Sequence, residues 1–310
     1  MRAAGIEHFG DEVHPMDVSE AHHLEADEIL LQVRSAGVAN WDDIVRTGGW
    51  DVGIAPPMAL GVEAAGSVLA VGPSVQRTHV GDSVITHPVP LRDQGTWAER
   101  VIVAESAVAP KPTWMSWQEA GALPVPALTA YQALAQTLHV QPGEWVLVHG
   151  AGGVTGSLLV SVAAELGARV IATASPAAAK RVLDAGATHT VDYHDSQWTS
   201  RVCRLTGGQG VAATVNAVPG EASVALQAMQ PGGRLATITV DPPPERDGIT
   251  VSNVIVRADG EQLQTVVALL ERRRTRIHIA GVYALEEAAQ ALSRVMGGHI
   301  RGAAVLDPER

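Results

Sequence analysis

A glycine-rich turn between two apolar segments holds the residues with the clearest chemical potential in this chain. Its sequence is HGAGGVTG, and its glycines are spaced as Gly150, Gly153 and Gly156. Glycines in such a turn let backbone N–H groups and a helix N-terminus approach a pyrophosphate. The alternative is a tight helix-packing turn that binds nothing. The residues predicted to bind a dinucleotide here are Gly150, Gly152, Gly153, Val154 and Thr155.

Two apolar segments flank this turn and must position it. Residues 146–148 form a continuous apolar run, which is typical of a parallel strand covered on both faces. A helical pattern follows the turn and stops at Gly167, and a second strand is predicted over residues 170–174. The order strand, turn, helix, strand is the context in which a glycine motif indicates dinucleotide binding. Further parallel strands are predicted over residues 212–218 and 234–240.

The N-terminal part of the chain has a different texture, with many short strands between glycine turns. Residues 28–34 alternate in the manner of a half-buried strand. Ser116 and Glu119 have the spacing of a capping box at the start of a helix. A further helix is predicted over residues 127–138, and residues 301–306 are predicted to pair back into the first domain. The pattern indicates a partly closed β-domain with few helices.

Composition and charge argue against several classes of protein. The 310 residues, 46% of them hydrophobic and 18% charged, suffice for two domains with sizeable cores. The net charge of −11 argues against nucleic acid or an anionic membrane surface as the main partner. No apolar run approaches the roughly 20 residues of a membrane span, and the first residues do not resemble a signal peptide. The single Cys203 excludes a multi-cysteine zinc site, and we expect a cytoplasmic protein.

Several further motifs, in a fixed order along the chain, identify a family. They are G-x-E-x-x-G at 61–66, G-D-S-V at 81–84, A-L-P at 122–124, L-T-A-Y at 128–131, and the glycine turn. Together they resemble the medium-chain dehydrogenase/reductase superfamily, and more narrowly its zinc-independent quinone oxidoreductase branch, the zeta-crystallin type. The resemblance runs along essentially the whole chain. It implies an α/β protein with a GroES-like, β-rich domain over residues 1–118, completed by about 258–310, and a Rossmann-type doubly wound parallel sheet domain over residues 119–257.

The residues that bind zinc in other members of this superfamily are replaced here. Zinc alcohol dehydrogenases carry a cysteine where this chain has Ala39 and a histidine where it has Val62, and neither side chain here can ligate zinc. The four-cysteine lobe of the family is also missing. The histidines, including the pair His22 and His23, have no spacing typical of a metal site. We therefore predict no metal.

The residue that ends the second strand of the nucleotide domain indicates which cofactor binds. An NAD enzyme normally carries Asp or Glu there, which accepts a hydrogen bond from the ribose 2′-OH. Here the position is Ser175, which has no charge that would repel a 2′-phosphate. In the resembling branch a small residue, a lysine and a tyrosine hold the 2′-phosphate of NADPH, and the matching residues are Ser175, Lys180 and Tyr193, with Arg181 as a helper. The alternatives are a helix cap, a solvated lysine and a packing tyrosine.

The resemblance also places residues around the nicotinamide and the acceptor. Asn40, Trp50 and Thr129 are the candidate catalytic residues, and Asn40 and Thr129 are expected to hydrogen-bond the carboxamide or the substrate carbonyl. Trp41 and Trp50 either line the pocket or fill core. Asp42 is expected to be a structural hydrogen-bond acceptor, because the metal ligand that it supports in zinc relatives is absent. Further cofactor contacts are predicted at Asn216, Ile238 and Val240.

The predicted reaction follows from the absence of metal ligands. Hydride transfer from NADPH is easiest to an acceptor that conjugation already activates, such as a quinone or an α,β-unsaturated ketone. The alternatives are an enoyl reductase acting on a thioester or polyketide chain, and an NADPH-binding protein with little catalysis. The family commonly pairs its Rossmann sheets edge to edge, and residues 249–256 form the candidate edge strand, so we expect a homodimer.

Overall fold

A computed structural model describes residues 1–19 and 23–310. His22 of the histidine pair lies outside the described residues. The chain divides into two units. The first unit contains residues 1–125, 257–265 and 276–310, and the second contains residues 126–256 and 266–275.

Strands dominate the first hundred residues, and strands and helices alternate afterwards. The strands are β1 (Arg2–Ile6), β2 (His14–Asp17), β3 (Glu28–Val38), β4 (Met58–Ala59), β5 (Ala64–Val71), β6 (Ser83–Thr86), β7 (Arg100–Ala104), β8 (Val108–Pro110), β9 (Trp145–His149), β10 (Arg169–Thr173), β11 (His189–Val191), β12 (Val211–Asn216), β13 (Met229–Thr237), β14 (Thr250–Asn253), β15 (Ile279–Tyr283) and β16 (Ala303–Leu306). The helices are α1 (Asn40–Arg46), α2 (Trp117–Gly121), α3 (Pro124–Tyr131), α4 (Val154–Glu165), α5 (Pro176–Asp184), α6 (Trp198–Leu205), α7 (Ala222–Ala225), α8 (Gly260–Arg272) and α9 (Ala288–Met296).

The first unit is built on a sheet around the long strand β3. Its strand order is β15, β16, β3, β5, β6, β8, with β7 also paired to β3, and a separate small sheet has the order β2, β1, β4. In β3, Ile29, Leu31 and Val33 are fully buried between less buried residues, which confirms the predicted alternation. β16 pairs antiparallel with β3, with Ala304 opposite Val38. This pairing confirms that the C-terminal segment returns to the first unit.

A capping box starts α2, as the sequence predicts. The Ser116 hydroxyl accepts the Glu119 N–H at 3.2 Å, and Glu119 Oε2 accepts the Ser116 N–H at 3.0 Å. Arg276 donates to the same carboxylate through Nε at 2.5 Å and through Nη2 at 2.8 Å. This bidentate form is the strong one for arginine and carboxylate. It ties the returning segment to α2.

The second unit contains a parallel sheet. Its strand order is β11, β10, β9, β12, β13, β14, with β14 at the edge. Val146, Leu147 and Val148 of the central strand β9 are fully buried, as expected of a strand covered on both faces. The chain order reverses between β9 and β12. In parallel sheets, ligands bind outside the carboxyl ends of the strands at such a switch point.

Two strands of this sheet end earlier than the sequence predicts. β12 ends at Asn216 and β13 at Thr237, so Val218, Ile238 and Val240 lie in loops beyond the carboxyl ends. Val240 has a φ of +60° and is 61% exposed. That backbone conformation is left-handed, and a strand cannot continue through it. Loops at this edge therefore carry the last predicted cofactor residues.

The helix predicted over residues 127–138 is present with shifted bounds. α3 runs from Pro124 to Tyr131, and a π-helical segment, Gln132–Thr137, continues it. His139, with a φ of +47°, follows its end. Among the helices of residues 1–19 and 23–310, none combines the length and the hydropathy that crossing a membrane requires.

Candidate functional site

The glycine turn lies between β9 and α4, and packing fixes two of its glycines. Gly150 has a φ of +91°, and a Cβ there would lie 2.7 Å from Val218 Cγ2. A Cβ on Gly156 would collide with the Gly150 carbonyl oxygen. Neither position accepts a larger residue without movement of the backbone. These two glycines therefore set the shape of the turn.

The other two glycines of the turn are open. A Cβ on Gly152 would come no closer than 3.7 Å to another atom, and one on Gly153 no closer than 3.9 Å. Gly153 is also the N-cap of α4, whose first residues are Val154 and Thr155. The first N–H groups of a helix have no acceptor inside it. Open space beside two glycines and donors at a helix N-terminus fit the pyrophosphate of a dinucleotide.

Two of the predicted 2′-phosphate contacts lie beyond the carboxyl ends of neighbouring strands. Ser175 follows β10 and is the N-cap of α5, but its side chain makes no capping hydrogen bond. The Ser175 hydroxyl is therefore not committed to the helix. Tyr193 follows β11, is 46% exposed, and stacks on His194 with ring centroids 4.2 Å apart. Tyr193 is thus not a packing residue of the core.

The two basic residues of α5 have different partners. Lys180 Nζ lies 2.7 Å from Asp184 Oδ2 on the same helix, and the lysine side chain is 87% exposed. Arg181 Nη2 donates to the Gly152 carbonyl oxygen at 2.8 Å. Arg181, rather than Lys180, therefore contacts the glycine turn and brings a positive charge to it.

Asn216 connects the loops at the carboxyl edge of the sheet. It is completely buried. Its Nδ2 donates to the Val218 carbonyl oxygen at 3.0 Å and lies 3.2 Å from both Thr237 Oγ1 and Thr239 Oγ1. Its main-chain carbonyl oxygen accepts the Ile238 N–H at 3.0 Å. The residue thus holds the loops after β12 and β13 together.

Two residues that the sequence does not predict as site residues lie against the glycine turn. His149 ends β9 and Thr173 ends β10. Thr173 Oγ1 lies 2.8 Å from His149 Nδ1 and accepts the Gly150 N–H at 2.9 Å. The sequence does contain a signal for them, because the carboxyl ends of parallel strands meet at one edge of a sheet. Polar residues that end the strands on either side of a glycine turn are candidates for holding it.

In the first unit, α1 carries Asn40 and Asp42. Asn40 is the first residue of the helix and is exposed. Asp42 Oδ2 accepts the Ala39 N–H at 2.8 Å, which confirms Asp42 as a structural hydrogen-bond acceptor. The other carboxyl oxygen of Asp42 is buried, with no hydrogen-bond partner among the described residues. Burial raises the pKa of Asp42 to about 8, so this carboxyl group is neutral at pH 7.

Two further titratable groups are buried in the first unit. Glu63 Oε2 accepts the Val125 N–H at 2.8 Å, and burial raises the Glu63 pKa well above its usual value. His87 Nδ1 lies 2.7 Å from the Val62 carbonyl oxygen, so Nδ1 carries the proton. His87 Nε2 is buried and has no partner within residues 1–19 and 23–310. Burial lowers the pKa of His87 to about 4, and the ring is neutral at pH 7.

The predicted catalytic residues are distributed over both units. Asn40 and Trp50 belong to the first unit, whereas Thr129 lies on α3 in the second and is 7% exposed. The half-buried ring of Trp50 lies 6.0 Å from the ring of His87, another residue outside the sequence prediction. Trp41 is also half-buried, and its buried Nε1 has no partner in the described part of the chain. Each tryptophan therefore has a packed part and an accessible part.

The two positions at which the resemblance to zinc alcohol dehydrogenases would place zinc ligands, residues 39 and 62, offer none here. Ala39 precedes α1, and Val62 is fully buried. Within residues 1–19 and 23–310, no group of three or more His, Cys, Asp or Glu side chains is arranged to hold a metal ion. Zinc sites in proteins need three or four such ligands. The described residues therefore do not fit a zinc ion.

Comparison with known proteins adds to this geometry. Residues 25–113 match the alcohol dehydrogenase GroES-like domain, and residues 185–306 match the zinc-binding dehydrogenase family. A quinone oxidoreductase from Pseudomonas aeruginosa is 30% identical over 302 residues, which cover 91% of each chain. This chain belongs to the quinone oxidoreductase-like branch of the medium-chain dehydrogenase/reductase superfamily.

Members of the quinone oxidoreductase branch are oxidoreductases that bind a nicotinamide cofactor. A quinone oxidoreductase structure from Pseudomonas syringae pv. tomato DC3000 matches with a TM-score of 0.86 and 26% identity over 99% of both chains. This match and the GroES-like domain match confirm the predicted GroES-like and Rossmann-type fold class. A phenolphthiocerol/phthiocerol polyketide synthase of Mycobacterium tuberculosis is 32% identical over 214 residues, or 68% of this chain. This chain spans 10% of the length of that synthase. A synaptic vesicle membrane protein VAT-1 homolog from Danio rerio is 33% identical over 59% of this chain, and this chain spans 37% of the length of that protein.

Proposed function

We propose that this oxidoreductase uses NADPH to reduce a conjugated carbonyl acceptor, a quinone or an α,β-unsaturated ketone, without a metal. The observation that carries the proposal is the glycine turn with its neighbouring strand end. Gly152 and Gly153 leave space for a pyrophosphate, and Ser175 stands where an acid would select NADH. Similarity to quinone oxidoreductases along most of the chain supports the acceptor class.

The preference for NADPH rests on charge near the ribose. A carboxylate after β10 would repel a 2′-phosphate, whereas Ser175 is neutral and its hydroxyl is not used by α5. Lys180 and Arg181 add two positive charges on the helix that Ser175 begins, and exposed Tyr193 follows the next strand. Lys180 pairs with Asp184 in an exposed ion pair, which contributes little to stability and is readily exchanged for a phosphate.

The proposed reaction needs no metal because conjugation activates the acceptor. The bound nicotinamide supplies the hydride. The exposed Asn40 amide and the Thr129 hydroxyl are the proposed donors to the carboxamide or the acceptor carbonyl, and the proton comes from solvent. Asp42 is proposed to act indirectly, because its hydrogen bond to the Ala39 N–H fixes the start of the helix that carries Asn40.

A second candidate function is enoyl reduction on a thioester or polyketide chain. The 32% identity with a polyketide synthase over 68% of this chain favours it. The net charge of −11 argues against enoyl reduction, because long anionic substrates favour a basic surface. The clustered basic run of the sequence is the three arginines 272–274. An NADPH-binding role with little catalysis is the third candidate, because the Trp50 ring offers no phenolic hydroxyl as a proton donor.

We also propose a homodimer and a cytoplasmic location. β14 is one of the two edge strands of the parallel sheet, and its outer side is the proposed contact with a second copy. The single cysteine suits a reducing compartment. A solution mass equal to one chain would contradict the dimer.

The experiment is NADPH oxidation by the purified protein with a panel of quinones, enones, aldehydes and enoyl thioesters. Each assay is repeated with NADH and after dialysis against a chelator. The proposal predicts turnover of quinones or enones that prefers NADPH and is unchanged by the chelator. Turnover of enoyl thioesters alone would favour the second candidate. Tight NADPH binding without any turnover would favour the third.

A further inference from the structure

A chain of hydrogen bonds lies behind the glycine turn and includes residues to which the proposed function gives no role. Thr173 Oγ1 accepts the Gly150 N–H at 2.9 Å, and the Thr173 carbonyl oxygen accepts the Ala151 N–H at 3.0 Å. Thr173 therefore holds the first two N–H groups of the turn. The same hydroxyl lies 2.8 Å from His149 Nδ1, and His149 Nε2 lies 3.2 Å from Glu221 Oε2.

The Glu221 carboxylate fixes the position of the proton on His149. An ionised carboxylate only accepts hydrogen bonds, so the imidazole proton lies on Nε2 and Nδ1 is an acceptor. Burial lowers the pKa of His149, which favours the neutral ring. The Thr173 hydroxyl then donates its proton to Nδ1 and keeps its lone pairs for the Gly150 N–H. The chain of bonds thus has one direction, from the turn to the carboxylate.

We propose that His149 and Thr173 are positioning residues for the cofactor, which hold the glycine turn in the shape that admits the pyrophosphate, with Glu221 setting the tautomer. The inference rests on the proposed function, since it requires a nicotinamide dinucleotide at this turn. Without the Thr173 hydroxyl, the Gly150 N–H loses its acceptor and the turn populates other shapes. The apparent affinity for the cofactor falls with the fraction of molecules that retain the competent shape.

Packing around His149 keeps its ring in place. The ring stacks on Trp198 with centroids 4.8 Å apart and planes 14° apart. The His149 carbonyl oxygen accepts the Ala217 N–H at 2.9 Å. The loop that carries Glu221 is therefore attached to His149 through the main chain and the side chain. Because this loop also packs on Gly150, the loop and the glycine turn are held together.

The order carboxylate, imidazole, hydroxyl also occurs in hydrolases, where the hydroxyl is a nucleophile. Burial excludes that role here. Thr173 is 1% exposed, and its hydroxyl already accepts the Gly150 N–H. A nucleophile must reach a substrate carbonyl, which this oxygen cannot do. The arrangement fits a residue that holds the turn.

The test compares Thr173→Val, which keeps the shape of the side chain, with Thr173→Ser, which keeps the hydroxyl. Titration gives the Kd of NADPH and of NADH for each variant. Thr173→Val is expected to weaken both cofactors alike by about tenfold to a hundredfold, because it leaves buried partners unsatisfied. Its kcat at saturating cofactor stays within about twofold of wild type, because no reacting atom is touched. Thr173→Ser is expected to bind within about threefold of wild type, because the hydroxyl is retained.

Variants of the other two residues extend the test. His149→Phe keeps the stack on Trp198 without the ring nitrogens and is expected to bind as weakly as Thr173→Val. Glu221→Ala, at a side chain that is 48% exposed, is expected to weaken both cofactors by about threefold to tenfold. Glu221→Gln is its matched control, because the amide oxygen still accepts from Nε2, and is expected to bind as wild type does.

Three results would overturn the inference. The first is wild-type cofactor affinity in Thr173→Val, and the second is an equal loss of affinity in the valine and serine variants. The third is wild-type cofactor affinity in Glu221→Ala. This last variant remains measurable if the variants of the buried residues do not fold. A wild-type protein that binds neither NADPH nor NADH would instead contradict the proposed function. The two failures are therefore distinguishable.

Discussion

Two groups of polar side chains in this protein are buried in contrasting ways. At the carboxyl edge of the parallel sheet, Thr173 and Asn216 hydrogen-bond both the strands and the loops beyond them. In the first unit, Asp42, Glu63 and His87 are also buried, yet Asp42 Oδ1 and His87 Nε2 have no partner among the described residues. The first group is hydrogen-bonded by its neighbours, whereas two polar atoms of the second group are not.

The two groups differ in rigidity and in electrostatics. Satisfied networks make a rigid edge, which suits a site that must match a pyrophosphate and a ribose. A buried polar atom without a partner is costly and calls for a specific explanation. In the first unit, burial raises the pKa values of Asp42 and Glu63 and lowers the pKa of His87, in each case in favour of the neutral form. The half-buried Trp50 ring lies beside His87 in this region.

The largest effect is expected from the glycines that shape the satisfied edge. Gly156→Ala forces a Cβ into the Gly150 carbonyl oxygen, and we expect a loss of about 3 kcal/mol or more in unfolding free energy, with no cofactor binding. Gly153→Ala is the matched control, since its Cβ has open space. It is expected to unfold at the wild-type temperature but to bind NADPH more weakly. Thermal melts and titrations measure both, and equal melting temperatures would contradict the packing argument.

The next effect concerns Asp42 and the alkaline side of the stability curve. Its pKa is about 8 in the folded chain against an ordinary value of 3.8, so the folded state retains a proton that the unfolded state loses. The unfolding free energy therefore falls as the pH rises from about 4 to about 8. Asp42→Asn, which mimics the neutral acid, is expected to reduce this slope, to which buried Glu63 also contributes, and to stabilise the protein by about 2–4 kcal/mol at pH 8. Denaturant melts across this pH range give the slopes, with exposed Asp184→Asn as the control.

His87 acts on the acid side of the same curve. Its folded pKa of about 4 lies below the ordinary 6.5, so the unfolded state binds the proton first. Stability is complete above pH 6.5 and is lost as the pH falls towards 4. His87→Gln keeps a donor for the Val62 carbonyl and is expected to reduce this acid-side loss of unfolding free energy by about 1–3 kcal/mol. His79→Gln, at an exposed side chain, should leave the acid-side loss of stability unchanged. An identical effect of both variants would show that His87 is not its source.

The smallest effect separates the two basic residues of α5. Lys180→Ala is expected to weaken NADPH about tenfold and NADH less than about twofold, because only NADPH carries the 2′-phosphate. Arg181→Ala is expected to weaken both cofactors, because Arg181 binds the Gly152 carbonyl oxygen of the turn. Equal losses of NADPH and NADH in Lys180→Ala would remove Lys180 from the 2′-phosphate site.

Features set by neighbouring residues could be predicted from the sequence. The capping box of Ser116 and Glu119, the alternation of β3 and the strand–turn–helix order around Gly150 each depend on a few consecutive positions. The return of the C-terminal segment to the first unit, predicted over residues 301–306, is also present in the pairing of β16 with β3. The fold class therefore follows from pattern and resemblance together.

Contacts between distant positions could not be predicted in this way. The choice of Arg181 over Lys180 at the glycine turn depends on rotamers and on Asp184 one turn away. The burial of His87 depends on Val62 and on the strands around it, and no local pattern marks it. Thr173 and His149 are marked in the sequence only as strand ends, and their bond requires the pairing of β9 with β10.

The most direct test of the central claim is titration of the purified, chelator-treated protein with NADPH and with NADH. The account predicts that NADPH binds at least about tenfold more tightly, because an uncharged strand end and the cations of α5 receive its 2′-phosphate. NADH that binds as tightly as NADPH, or more tightly, would contradict the claim.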